Sequence, residues 1–331
     1  MTRKRRIDVA RQATDEAGGG AGRGVEGTLV VVEKSGHAVS FHDVAGGTLL
    51  ERIELGEYPH EMVVDRARRL AYIGHYGVRM SGDVGTGGTS VFVVDLAARE
   101  LVRTIDLSPF NRLHGIAIDA QSRLHVLSEE KAVLLRVDDP AHAEAPSAAV
   151  HTGGIKTHMV VTNRDGSLAY VTGLLSHTVS RVDPHDAAEP PVIASPGRLP
   201  ESCALSGDEQ VLYVGARRDK QLVALDARTL KERKRQDVPG DPLRVYVVPG
   251  QDRLLTTDIE NRTVTRYDAE LREERSVTFD GIPAGISFHP TEPTAFVTLL
   301  DIDTVAILDL ETFEATGTLS TGSEPDVTAL I

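Results

Sequence analysis

The feature that most constrains this chain is a repeat. Short apolar runs recur in pairs, at residues 71–75 with 91–96, 169–173 with 179–183, 212–216 with 222–226, and 295–299 with 305–310. A polar turn splits each pair, and an Asp stands at or near the end of each second run. Weaker copies lie at 123–128 with 133–138 and at 253–258 with 264–268. A further apolar run precedes each pair, opening at Pro59, Leu113, Thr157, Pro200, Pro242, Pro283 and Pro325. The residues after these openings are His60, His114, His158, Glu201, Leu243, Ala284 and Asp326. Five of the six intervals between them are 41 to 44 residues, and the first is 54, so one unit carries an insertion.

Four short β-branched strands per unit, separated by Gly, Pro and Asp turns, predict a β-propeller. The seventh unit has its first strand at 325–331 and lacks the other three; these are expected at 28–32, 38–43 and 49–55. The fold expected is therefore all-β: a seven-bladed propeller of four-stranded antiparallel blades, closed by the N- and C-terminal strands in one blade. Closure removes the exposed sheet edges that would otherwise invite aggregation. The propeller domain is expected over 26–331, behind a flexible basic tail at 1–25. Residues 1–24 hold six basic and three acidic side chains, a charge of +3 against −13 for the whole chain, and end in a glycine-rich stretch.

The run Tyr170-Val171-Thr172-Gly173, with its counterparts in the other units, resembles the YVTN-type seven-bladed β-propellers, a group related to the lactonase-like propellers. Gly173 stands where that pattern usually has Asn. The resemblance extends over about nine-tenths of the chain. It implies a site at the face where the first strands begin, and a metal-dependent reaction there: lactone hydrolysis, or ring opening by elimination as in the similar streptogramin lyases. It speaks more for fold than for function, because one fold hosts many activities.

The composition narrows the chemistry. One cysteine, Cys203, excludes intrachain disulfides and thiolate-rich metal sites. The acidic balance argues against a nucleic-acid partner. No apolar run approaches a membrane span, and 7–16 lacks the apolar stretch of a secretory signal, so no membrane partner and a cytoplasmic location are expected. Twelve histidines remain to be placed.

Three of them share one position on consecutive units. If first strands line the channel, His60, His114 and His158 converge on its mouth with Glu201 beside them, and the four are the expected ligands of a divalent metal. Imidazole-rich sets suit Zn, Fe, Mn, Ni or Cu better than Mg or Ca. Iron or copper would raise an oxygenase or oxidase alternative, as in the multi-histidine channels of the carotenoid-oxygenase family. A non-catalytic scaffold binding a ligand or protein is the other alternative. His75, at the end of a second strand, is expected to move a proton. Glu61 could do so too, although strict alternation would turn it away from His60; its plainer role is a salt bridge with Arg244 or Arg79. Tyr76, Arg79, Arg217 and Arg244 are expected to contact a small-molecule substrate. The glycine-rich insertion 77–89 is expected at the same face as a lid. Leu243 and Ala284 make the opposite side of the mouth apolar. A closed propeller of this kind is expected to be a monomer.

Overall fold

A computed structural model describes residues 24–331; the basic tail falls outside the described residues apart from its last two positions. Seven four-stranded antiparallel sheets form seven blades. Blade 1 runs Pro59–Asp65, Leu70–His75, Ser90–Asp95 and Glu100–Asp106 from channel to rim. Blades 2 to 6 repeat this order, with inner strands Leu113–Ile118, Thr157–Thr162, Pro200–Leu205, Pro242–Val247 and Pro283–Phe288. Blade 7 takes its inner strand, Pro325–Leu330, from the end of the chain and its other three, Thr28–Glu33, Ala38–Asp43 and Thr48–Glu54, from the beginning. Thr28 and Ile331 exchange backbone hydrogen bonds of 3.1 and 2.9 Å at the seam.

The blades are held by apolar faces packed against one another. Tyr72, Val91, Val93 and Ile105 of blade 1 meet Ile116, Leu124, Val126 and Leu135 of blade 2 in one fully buried cluster, and similar clusters lie between other blades. Removing this surface from water is the main stabilising contribution, about 25 cal/mol per Å². The recurrent Asp at the end of third strands is architectural. Asp95, Asp226, Asp268 and Asp309 each accept backbone N–H bonds from the turn that follows, at 2.8 to 2.9 Å, the usual task of Asp in tight turns.

Every inner strand also breaks register with its neighbour at its channel end. The shift falls between Pro59 and Met62, Leu113 and Ile116, Thr157 and Val160, Pro200 and Cys203, Pro242 and Arg244, and Pro283 and Ile286. Blade 7 shows it between Val31 and Glu33. A bulge of this kind re-aims side chains and suspends strict alternation. The aligned column His60, His114, His158, Glu201, Leu243, Ala284 sits in these bulges. Thr172 secures one of them: its Oγ1 accepts from Met159 N at 3.1 Å and donates to Glu201 O at 3.0 Å. Thr298 accepts from Gly285 N at 2.7 Å and donates to Asp326 O at 3.0 Å. The Thr of the Tyr-Val-Thr run thus ties adjacent inner strands together.

Candidate metal centre at the channel mouth

A cavity of about 870 Å³ opens at the channel end where the inner strands begin. The bulge column lines it: His60, His114, His158, Glu201, Leu243, Ala284 and Asp326. A second column comes from the residue after each second strand, including Lys34, Tyr76, Leu174, Arg217, Ile259 and Leu300. The sequence expectation placed His75, the last residue of its second strand, at the site, one residue too early. The last residue of the second strand is still paired, as in Pro59 opposite His75. Its successor leaves the ladder and turns to the axis.

That offset corrects the role expected for His75, which does not line the cavity. Its ring packs 5.2 Å from Phe92 and against Gly88, and burial lowers its pKa. Tyr76 takes the place instead. It is buried, edge-on to His60 and His114 at 5.3 and 4.8 Å between ring centroids, and donates to Glu129 Oε2 at 2.7 Å. Burial first, then the Glu129 carboxylate, push the Tyr76 pKa far up, so the phenol keeps its proton.

The three histidines do come together, as a stack. The His60 and His114 centroids lie 4.1 Å apart, and those of His114 and His158 3.6 Å apart. Their partners separate them. His158 is clamped between carboxylates, with Nδ1 3.0 Å from Glu129 Oε1 and Nε2 3.2 Å from Glu201 Oε1. Burial opposes its charge, but Glu201 and Glu129 outweigh it and raise the pKa to about 9. Glu201 is itself held by His158 and by Arg217 Nη1 at 2.6 Å, which keep it ionised against the effect of burial. With both ring nitrogens committed, His158 and its partner Glu201 are drawn out of the ligand set in which the sequence placed them.

The remaining donors gather on the other side of His114. Ligand atoms of His60, Glu61 and His114 all lie within 4.8 Å of one another, and all three residues are buried. The bulge brings Glu61 round beside His60, contrary to alternation. Glu61 sits beneath the cavity wall, with Oε1 3.6 Å from His60 Nδ1 and 2.5 Å from Arg244 Nη2. The salt bridge expected for Glu61 is therefore made by Arg244; Arg79 pairs with Glu324 at 3.1 Å. Burial would raise Glu61, but Arg244 and His60 hold it below the usual carboxylate range. Burial, reinforced by the charge on His158, drives His114 well below its ordinary value, leaving the neutral ring that metals bind.

The donor set fits a borderline divalent ion. Among the described residues, the Nδ1 atoms of His60 and His114 are buried without hydrogen-bond partners, as is Asp326 Oδ2, which contacts His60 Nδ1 without the direction of a hydrogen bond. Unpaired buried polar atoms are costly, and their concentration at one point marks a place where a ligand would compensate.

Arg217 lines the cavity but is saturated by Glu201 and by both oxygens of Asp241 at 2.7 Å. The insertion covers one sector of the mouth: Met80 and Ser81 line the cavity, Arg79 reaches Glu324, and Lys156 Nζ donates to Ser81 O. Buried Arg112, which the sequence did not single out, donates to the carbonyls of Ser81, Asp83 and Gly85 at 3.2, 2.6 and 2.9 Å. Glu129, also missed, is fully buried and joins Tyr76 to His158. Its signal was its place after a second strand, equivalent to Tyr76 and Arg217. Outside the site, Glu33 and Asp258 accept bonds from loop amides, and His125 is a core residue bound to Asp119 at 3.0 Å. Among the described residues, no helix is long and apolar enough to cross a membrane.

No protein-family model matches the chain, and no curated protein matches it. Solved structures do. One is a chain of the mitotic checkpoint complex crystal structure, 12% identical, with a TM-score of 0.69, covering 90% of this chain and 94% of that one. Another is the dihydro-heme d1 dehydrogenase NirN in complex with DHE, 15% identical, with a TM-score of 0.64, covering 91% of this chain and 65% of that one. At such identities the likeness shows the fold alone: this chain is a seven-bladed β-propeller with a His/Glu group at its channel mouth that could hold a metal.

Proposed function

We propose that the chain is a metal-dependent enzyme acting on a small organic substrate at the channel mouth, as a hydrolase or lyase of ester-like bonds. The observation that carries this is the buried His60–Glu61–His114 group beside the 870 Å³ cavity. An ion held there would act as a Lewis acid on a carbonyl or activate a water. The surrounding residues have separable tasks. His158, clamped by two carboxylates, fixes the ring against which His114 stacks. Asp326 lines the cavity against His60, which keeps it ionised against the effect of burial and whose ring it steadies. Tyr76 orients the histidine rings. The resemblance to lactonase-like propellers supports the hydrolytic or eliminative reaction.

A redox reading is supported by the donor set itself, because two imidazoles and a carboxylate also suit mononuclear iron. NirN, a dehydrogenase by name, shares the fold. Metal content tests both readings. Protein purified without a polyhistidine tag should carry about one equivalent of a transition metal, lost in His114→Ala and Glu61→Gln. Zinc favours hydrolysis or elimination, and iron or copper favours oxidation. Substoichiometric metal in the wild type, or unchanged metal in both variants, leaves the propeller as a non-catalytic scaffold.

A further inference from the structure

The walls of the cavity are unlike, and its floor has an unfilled capacity. Blades 5 and 6 contribute Leu243, Ile259, Ile282, Ala284 and Leu300, an apolar side edged by Asp301, which accepts from Ile282 N, and by Asp303, which accepts from Glu324 N. The insertion 77–89 lies over the opposite sector, between its contacts with Glu324 and Lys156, so the apolar side is the uncovered one.

The floor is set by Arg244, whose side chain crosses the channel from blade 5 to Glu61 of blade 1. The cations Lys34, Arg217 and His158 are each met by carboxylates. Arg244 is not fully met. Among the described residues, only Nη2 has a carboxylate; Nη1 has the Met159 sulfur at 2.9 Å, and Nε has no partner. Arg244 is 6% exposed and lines the cavity, so its open donors need an acceptor that the described residues do not supply.

Charge decides which acceptor. Arg244 against Glu61 and Asp326 leaves the floor at a formal −1, which would repel an anion. A divalent ion on His60, Glu61 and His114 turns that to +1, enough for one monoanion. We infer that the metal-loaded cavity takes an amphiphile with a single carboxylate end, received by Arg244, and an apolar body lying against blades 5 and 6. The inference rests on the metal reading above. The cavity volume lies within the range of about 300–1,000 Å³ for small-molecule sites.

The test is calorimetry with octanoate, octanol and octyltrimethylammonium, on protein treated with chelator and on protein reloaded with one equivalent of Zn²⁺. Loaded protein should bind octanoate at least about tenfold more tightly than either other probe, and chelation should erase that preference. Arg244→Met should lose the preference but keep octanol binding. Arg244→Lys, which still pairs with Glu61, should lose most of it. Ile282→Asp should weaken octanoate and octanol alike. Equal binding of octanoate and octanol by the loaded wild type overturns the inference, a result that needs no variant to fold. Survival of the preference in Arg244→Met overturns it too. Zinc uptake is measured separately by elemental analysis: uptake without octanoate preference removes this inference alone, whereas no uptake removes the metal reading as well.

Discussion

At the residue scale, the motif that identifies the repeat and the residues that build the site meet in Thr172. In the sequence it is one letter of a Tyr-Val-Thr run. In the structure its hydroxyl satisfies the bulge amide of Met159 and the carbonyl of Glu201, flanking the clamp on His158. Thr172→Val keeps the shape and removes both bonds, leaving two buried backbone groups unpaired. The expected cost is about 1–3 kcal/mol, read as a lower denaturation midpoint. Thr172→Ser should recover most of it. A Val variant as stable as wild type would mean that the bulges need no side-chain support. Glu129 shows the limit of residue-level reading. Its side chain alone does not distinguish it from a surface acid, and only its place after a second strand sets it apart; it is fully buried because Tyr76 and His158 converge on it from other blades.

At the scale of strands and loops, the bulge is the element that sequence patterning did not reveal. The histidine column was legible because seven aligned units expose a shared position. The relation of His60 to Glu61 was not, because alternation holds only while the ladder is regular. The same offset moved the second lining column from His75 to Tyr76. Gly115 tests how tightly this geometry is set. It follows His114 in the bulge, and a Cβ there would lie 2.6 Å from His158 O and 2.9 Å from Met159 Cα, both backbone atoms. Gly115→Ala must push blade 3 outward or distort the bulge, so a loss of about 1–3 kcal/mol is expected. The shift should also lower zinc affinity, since His114 moves with it. Unchanged stability together with unchanged zinc affinity would show that the inner strands approach less closely than described.

At the scale of the whole molecule, the site exists only once the ring has closed. Asp326 comes from the last strand and meets His60 of the first blade, and Arg244 spans the channel to Glu61, 183 residues away in the chain. Closure was readable from the unit count, because a lone seventh inner strand leaves one blade to be completed from the other end. Alignment of the units also bears on how stability changes with pH. His42 and His125 are buried far from the channel mouth, and both have pKa values lowered from 6.5 chiefly by burial. Each therefore stays neutral in the folded state at a pH where the unfolded chain takes up a proton. The sign follows: stability is fully present above about 6.5 and falls as pH drops, by at most about 1.4 kcal/mol per pH unit for each histidine. Carboxylate losses run in the same direction but begin only near their own lower values, so the fall between pH 6.5 and 5 belongs mainly to histidines. The repeat supplies the control. The position of His125 is occupied by Tyr72, Tyr170, Tyr213 and Phe296 in other blades, all buried. His125→Phe should thus be tolerated, with Asp119 retaining Arg123 at 2.7 Å. Combined with His42→Gln, whose amide can still meet Ser40, it should flatten the decline in melting temperature between pH 7 and 5 by several degrees. An acid limb as steep in the double variant as in wild type would assign the fall to other groups, with the channel-mouth histidines next in line.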